Sequence, residues 1–328
     1  MTEPGLLSRL FFIGIGMDSN NSIVKRKSRL VPTLIIAFFS TIVIVFFVVF
    51  FIGKINSHIK ASGTIIAVAE KWKDYDYSAV YEISYQILQE NPYNNAALIY
   101  HGYASFYLAV SQIETSSSQM YLDEAINSMR IALYNAKKQV RPQLEYMLGK
   151  SYFYKNTITS YYYSDLALKY LSLAKSHGYE ASDIPEYMGL CYAALGQPME
   201  SISSFTEALL KRESDTLLLS IAEQYYKIGQ SMAAKQYLFR IKNSSVDDDL
   251  IIKSMNLLGL IYIDEQKYDD ARLEFEGILK KKQNSADAYY GLGTIYEKQG
   301  DIAKARSEWR KALKVQVNHP LTLEKMAN

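Results

Sequence analysis

The chain of 328 residues has one cysteine, Cys191, and four histidines, His58, His101, His177 and His319. A lone thiol cannot close an intramolecular disulfide, and it suits an oxidising compartment as well as a reducing one. Its place on an apolar helical stretch reads as a buried small side chain, with a reactive thiol as the alternative. The histidines are scattered, with no HExxH, no cysteine pair and no glycine loop able to cradle phosphate. The acidic run Asp247, Asp248, Asp249 lacks the ligand spacing of a calcium loop. These gaps leave no catalytic residue, no metal site and no cofactor to nominate. Charge of one sign is also scarce: residues 1–30 carry net +3, leaving −1 of the overall +2 for all that follows. That balance lacks the basic bias that nucleic-acid binding needs.

What is present begins with one long apolar run. From Leu30 to Gly53 there are 24 residues without a charge, rich in Ile, Val, Phe and Leu. About 20 such residues cross a bilayer core as a helix, so residues 31–53 are expected to form a transmembrane signal anchor. A cleavable signal has a shorter apolar core, and the nearest small-residue triplet, Ala61-Ser62-Gly63, lies beyond Lys54 and Lys60. Five basic residues precede the run and two follow it closely. This places the tail 1–30 in the cytoplasm and the rest outside it, which in a bacterium means a single-pass inner-membrane protein with a periplasmic array. The competing reading is an organelle outer-membrane anchor with the array in the cytosol. The segment Leu6–Met17 is too short to span, and either lies at the membrane surface or precedes a start at Met17.

After a linker at 54–60, a recurrence of about 34 residues governs the chain. The copy starting at Ile252 and the copy starting at Ala286 align without a gap. Leu258, Gly259, Tyr262, Ala271, Phe275 and Ile278 coincide with Leu292, Gly293, Tyr296, Ala305, Trp309 and Ala312. Each unit needs small residues where two helices cross and a large side chain beside them. A third copy shows Ala222, Tyr225, Gly229, Ala234 and Leu238; a fourth shows Gly189, Tyr192, Gly196, Ser201 and Phe205. Upstream, Gly149 and Gly102 mark two expanded units, the latter with a polar insertion SQIETSSSQ expected to be a loop. Asp74–Pro92 is the most divergent. Units are thus expected near 61–94, 95–139, 142–181, 182–214, 215–249, 252–285 and 286–319, with a tail at 320–328. Gly196, Gly229 and Gly300 fall at tight turns, and Asp301 at a helix start.

The pattern resembles the tetratricopeptide repeat family over roughly residues 61–319. The resemblance implies a right-handed α-solenoid of about seven helix pairs, so that with the apolar run the chain is expected to be all-α, an N-terminal transmembrane helix followed by the solenoid. It also implies a groove lined by first helices that holds a peptide or a partner's helix, without catalysis. Projected onto that groove, Ile99, Tyr103, Phe106, Tyr107, Tyr146, Phe153 and Tyr154 form an aromatic wall, taken as the partner-binding surface; the alternative is that these rings bury one another. The C-terminal wall is polar. The consecutive rings Tyr161, Tyr162 and Tyr163 cannot share one helix face, so at least one is exposed and is a candidate contact. Positions where chaperone-docking members carry a Lys/Asn clamp here hold Ile99, Tyr103, Tyr146, Lys150, Glu186, Leu190, Glu223, Asn256 and Tyr290 among others, which shows no such clamp. The tail after Pro320 is too short for a full cap helix, leaving the last unit open to a partner or to a second copy in a homo-oligomer.

The function implied is a non-enzymatic, membrane-anchored scaffold that assembles a cell-envelope machine, with a periplasmic flagellar motor collar or a translocon-associated factor ranked first. The alternative is a periplasmic holdase that captures extended secreted polypeptides.

Overall fold

The computed structural model describes the backbone of residues 30–327 and the side chains of residues 39–54 and 64–327. The expected cytoplasmic tail, the segment Leu6–Met17 and the choice of start lie outside the described residues. Those described form fifteen α-helices and no strand. They divide into two compact units, Met1–Gly63 and Thr64–Asn328.

Helix α1 (Leu30–Lys73) carries the apolar run and continues through 54–60, where a linker is expected. Its side chains between Phe39 and Ile52 are exposed around the whole circumference, Phe46 at 67% and Val49 at 63%. Among the described residues no helix is long and apolar enough to cross a membrane. The apolar side chains described stop short of the roughly 20 residues a bilayer core requires. The rest of the expected span, 31–38, lies outside the described side chains.

In the second unit the end of α1 packs on α2 (Tyr77–Glu90) through Val68, Val80 and Ile87. Six pairs follow: α3 (Asn95–Ser111) with α4 (Thr115–Tyr134), α5 (Arg141–Ile158) with α6 (Ser164–Ser176), and α7 (Ile184–Ala194) with α8 (Pro198–Lys211). Then come α9 (Asp215–Lys227) with α10 (Ser231–Ser244), α11 (Asp248–Asp264) with α12 (Tyr268–Lys281), and α13 (Ala286–Lys298) with α14 (Ile302–Val315). Each helix also packs on the next in sequence, so the array is an all-α solenoid of stacked hairpins.

The repeated small residues set how closely the helices of each pair approach. A Cβ added to Gly149 would stand 2.7 Å from Leu171 Cγ, one on Gly189 2.5 Å from Phe205 Cδ1, and one on Gly293 2.4 Å from Trp309 Nε1. Phe275 is held between two glycines, Gly259 of its own pair and Gly291 of the next, with added Cβ atoms 2.5 and 2.3 Å from its ring. The second helices answer with Ala125, Ala167, Ser201, Ala234, Ala271 and Ala305, all fully buried. Ser201 also donates its hydroxyl to Gly189 O at 2.8 Å.

The turn inside a pair is as regular. Gly196, Gly229 and Gly300 have positive φ, and the following amide reaches back to a tyrosine carbonyl: Gln197 N to Tyr192 O, Gln230 N to Tyr225 O, Asp301 N to Tyr296 O. This is the helix-terminating geometry that glycine adopts without steric cost. Gln266 and Tyr75 occupy the same place with positive φ in their own units. Asp301 caps α14 by accepting from Lys304 N, and Asp247 caps α11 by accepting from Asp249 N and Leu250 N.

Two expectations are corrected. The insertion SQIETSSSQ is not a loop: α3 runs on to Ser111 and α4 begins at Thr115, so most of it is helical. The Glu114 carboxylate accepts from the Ser116 and Ser117 hydroxyls, and Ser118 Oγ donates to Ala109 O, which absorbs polar groups that a loop would give to water. The C-terminal residues, expected to be too short for a cap helix, form α15 (Pro320–Ala327), which packs on α14. Thr322 N donates to buried His319 Nδ1, and His319 Nε2 meets Asp287 at 3.0 Å, tying this end to α13.

Replacing Gly259 by Val should destabilise the chain by about 1–3 kcal/mol through overpacking against Phe275. Gly277→Ala, whose new methyl meets only the mobile end of Met255, should cost nothing comparable. Urea denaturation of the two variants beside the parent checks this.

Candidate partner-binding face

First helices of successive pairs pack on one another: α3 with α5, α5 with α7, α9 with α11, and α11 with α13. No comparable packing joins successive second helices. First helices therefore form the crowded side of each step, and their surface side chains meet those of neighbouring units. Packing between α7 and α9 is slighter, and the face is described in two parts, an N-terminal one on α3, α5 and α7 and a C-terminal one on α9, α11 and α13.

Of the seven residues predicted for the aromatic wall, Tyr103, Phe106 and Tyr146 are buried, whereas Ile99, Tyr107, Phe153 and Tyr154 are half-buried. The buried three are not open surface. Each lies against further rings, Tyr103 against Trp72, Phe106 against Tyr107 and Tyr154, and Tyr146 against Tyr179. Trp72 of α1 stands 5.9 Å from Tyr103 and 5.8 Å from Tyr107, ring centre to ring centre, and Tyr77 stacks on Tyr107 at 4.4 Å. Phe106 meets Tyr154 at 5.6 Å, and Phe153 meets Tyr187 of α7 at 4.9 Å. The accessible wall is thus the half-buried set Tyr107, Phe153, Tyr154 and Tyr187, backed by the buried rings.

One charged pair sits inside this wall. Lys150 Nζ lies 3.2 Å from Asp183 Oδ2 and 3.2 Å from Tyr146 Oη, and Tyr146 Oη donates to both Asp183 oxygens at 2.8 and 2.7 Å. The ammonium is also over the rings of Phe106, Tyr146 and Tyr187 at 5.9, 5.2 and 5.0 Å. Burial first, and then its bond to the Asp183 carboxylate, raise the Tyr146 hydroxyl far above the ordinary tyrosine range, so it remains a donor. Tyr187 is raised by burial and by its contact with Tyr154. Trp72, Asp183 and Tyr187 escape a reading of single units. Adding one period to the groove residues finds the last two: Lys150 to Asp183 and Tyr154 to Tyr187 are each 33 residues apart.

The C-terminal part is polar. Tyr226 Oη donates to Asp264 at 2.7 Å, and Lys325 of α15 pairs with Glu297 at 2.7 Å. Tyr161 and Tyr162 stand exposed on the turn between α5 and α6, whereas Tyr163 packs on Tyr152 with Lys155 4.8 Å above its ring. The run lies on a turn because α5 ends at Ile158, and Asn156 Oδ1 accepts from Tyr163 N at its far side.

No group of His, Cys, Asp and Glu able to hold a metal occurs among the described residues. Cys191 is buried, and burial pushes its thiol up to about 12, which removes the thiolate a nucleophile needs. Ser84, His101 and Glu124 do line up, with Ser84 Oγ 3.2 Å from His101 Nδ1 and His101 Nε2 3.7 Å from Glu124. Ser84 is fully buried and donates to Tyr81 O, so the group fastens α2, α3 and α4 together and presents no nucleophile to a substrate.

Residues 179–324 match the family described as the Tetratricopeptide repeat protein 21 C-terminal ARM domain. Human tetratricopeptide repeat protein 21B is 30% identical over 119 residues, 35% of this chain and 9% of that protein, so the chain spans under a tenth of that relative's length. A tetratricopeptide repeat protein from Parabacteroides merdae superposes with a TM-score of 0.50 at 17% identity, over 80% of this chain and 96% of that one. YrrB, a tetratricopeptide protein, gives 0.45 at 20% identity, over 62% of this chain and all of that one. These likenesses concern the fold.

Burial lowers the His101 pKa below 6.5, against the opposing pull of Glu124. Neutral in the folded chain but protonated sooner in the unfolded one, His101 contributes stability that is complete above about pH 6.5. That contribution is lost as pH falls toward the folded-state value. Thermal melts at pH 7.5 and pH 5 should show the parent losing more stability on acidification than His101→Gln.

Proposed function

We propose that this tetratricopeptide-repeat protein is a non-enzymatic scaffold that holds a protein partner on the N-terminal part of its first-helix face. Such proteins generally mediate protein–protein contacts, and the reading for this chain is carried by one observation: half-buried Phe153, Tyr154 and Tyr187 of α5 and α7 form an aromatic wall joined to half-buried Tyr107 of α3 through the buried ring of Phe106. Large rings of this kind give contact area at little cost in side-chain entropy, which is why they dominate binding surfaces. The wall suits a peptide segment or helix with apolar side chains. Tyr161 and Tyr162 add an exposed aromatic edge beside it.

We further propose that residues 31–53 anchor the chain in a membrane, with the array on the extracytoplasmic side. A helix apolar around its whole circumference, as α1 is from Phe39 to Ile52, is stable only where something apolar surrounds it. The cationic N-terminal flank gives the orientation. An inner-membrane scaffold for an envelope machine, a flagellar motor collar or a translocon-associated assembly, fits this layout. The second reading, a holdase for extended secreted chains, draws on the same wall.

Crosslinking intact cells, recovery through a C-terminal tag and mass spectrometry separate the two. A few stoichiometric components of one envelope assembly are expected; many unrelated secretory chains would make the holdase the better reading, and cytosolic chaperones would overturn the orientation. The double variant Tyr107→Ala, Tyr154→Ala should weaken recovery of the partner by about 1–2 kcal/mol in binding while the array stays folded. Unchanged recovery from that folded variant would sink the aromatic-wall assignment.

A further inference from the structure

The Lys150 ammonium reveals the chemistry that its surroundings accept. It lies beneath three rings from three successive first helices, Phe106 of α3, Tyr146 of α5 and Tyr187 of α7, with the Asp183 carboxylate 3.2 Å away. Aromatic faces and one carboxylate around an ammonium constitute a cation cage, the arrangement that proteins use to recognise alkylammonium groups. Its frame has bonds of its own beside those to the ammonium: Tyr146 Oη is bonded to both oxygens of Asp183, Tyr187 Oη meets Tyr154 Oη at 3.3 Å, and Phe106 is buried. Lys150 enters on a flexible four-carbon stem from the same face, its side chain still 17% exposed.

We infer that the cage is a recognition site for a lysine side chain of the bound partner, with Lys150 as the resident group that such a lysine displaces. The inference deepens the reading of this face as the partner surface and rests on it. Charge supports the exchange. With Lys150 withdrawn, the cage keeps the Asp183 carboxylate and three ring faces and has no cation of its own, so an incoming ammonium restores each contact that leaves. Lys150 thereby acts as an internal competitor: a partner lysine that displaces it keeps Asp183 neutralised, whereas an apolar side chain in the same place would leave that carboxylate unpaired.

The test needs no partner, so its failure is distinguishable from failure of the scaffold reading. The probe is Nα-acetyl-lysine-methylamide, compared with its neutral Nε-acetylated counterpart by ligand-observed NMR on the full chain. Lys150→Ala should bind the charged probe roughly tenfold more tightly than the parent does and prefer it over the neutral one, and adding Asp183→Asn should lose roughly that factor. A folded Lys150→Ala chain that does not discriminate between the probes overturns the proposal, as does equal binding by parent and variant. Should Lys150→Ala fail to fold, Lys150→Gln, which keeps most of the stem without the charge, takes its place: tighter, charge-selective binding supports the cage, and its absence overturns it.

Discussion

The close crossing of two helices at a residue with little or no side chain is the constraint on which the array depends. Gly102, Gly149, Gly189, Ala222, Gly259 and Gly293 occupy that place on the first helices, and Met129, Leu171, Phe205, Leu238, Phe275 and Trp309 of the second helices fill the space it leaves. Because the first helix withdraws, the second can send a large side chain into the gap and still bury it completely. Phe275 shows how this propagates: Gly291 of the next unit closes over the same ring, so one crossing sets the distance to its neighbour. A stack built this way has a core that grows along one axis, each unit supported by those beside it.

Polar groups reinforce the stacking at the same period. Lys175 with Glu207 and Lys242 with Glu274 are ion pairs between the second helices of adjacent units at 2.6 Å, whereas His177 meets Glu145 at 2.6 Å and Lys281 meets Asp248 at 2.7 Å within one pair, closing its two far ends. Most are open to solvent and individually contribute little, on the order of 0–1 kcal/mol. Their effect is directional, favouring one register of unit on unit over slipped alternatives. Glu145 and Glu274 are buried: the first depends on His177 and Arg141, the second on Lys242, to offset its charge.

The N-terminal units depart from the regular repeat, and the candidate site lies where they do. The rings of Phe106, Tyr107, Phe153 and Tyr154 stand four and five residues past the crossing glycines Gly102 and Gly149, where the last unit carries Glu297 and Lys298 past Gly293. Unneeded for the crossing itself, the rings are free to meet across units, and they gather around Lys150 and Asp183. In the C-terminal units, which include the segment matching a known repeat family, the first-helix face is made of charged and polar groups.

The sequence alone determined the helix pairs, the small residues at their crossings and the tight turns at Gly196, Gly229 and Gly300. These depend on contacts within about 34 residues, which leave a periodic trace in the chain. The helix start at Asp301 was legible for the same reason, since capping is local. Which aromatic residues are surface and which are core was decided only by tertiary structure: Tyr103 and Tyr107 sit one helical turn apart, and the rings of Trp72 and neighbouring helices, not their spacing, bury the first and leave the second half open. The insertion after α3 became helix because its serines found Glu114 and Ala109 as partners, and the last eight residues became a cap because His319 reaches both Thr322 and Asp287. The cage around Lys150 needed three successive units in place, and no single unit contains enough of it to be seen.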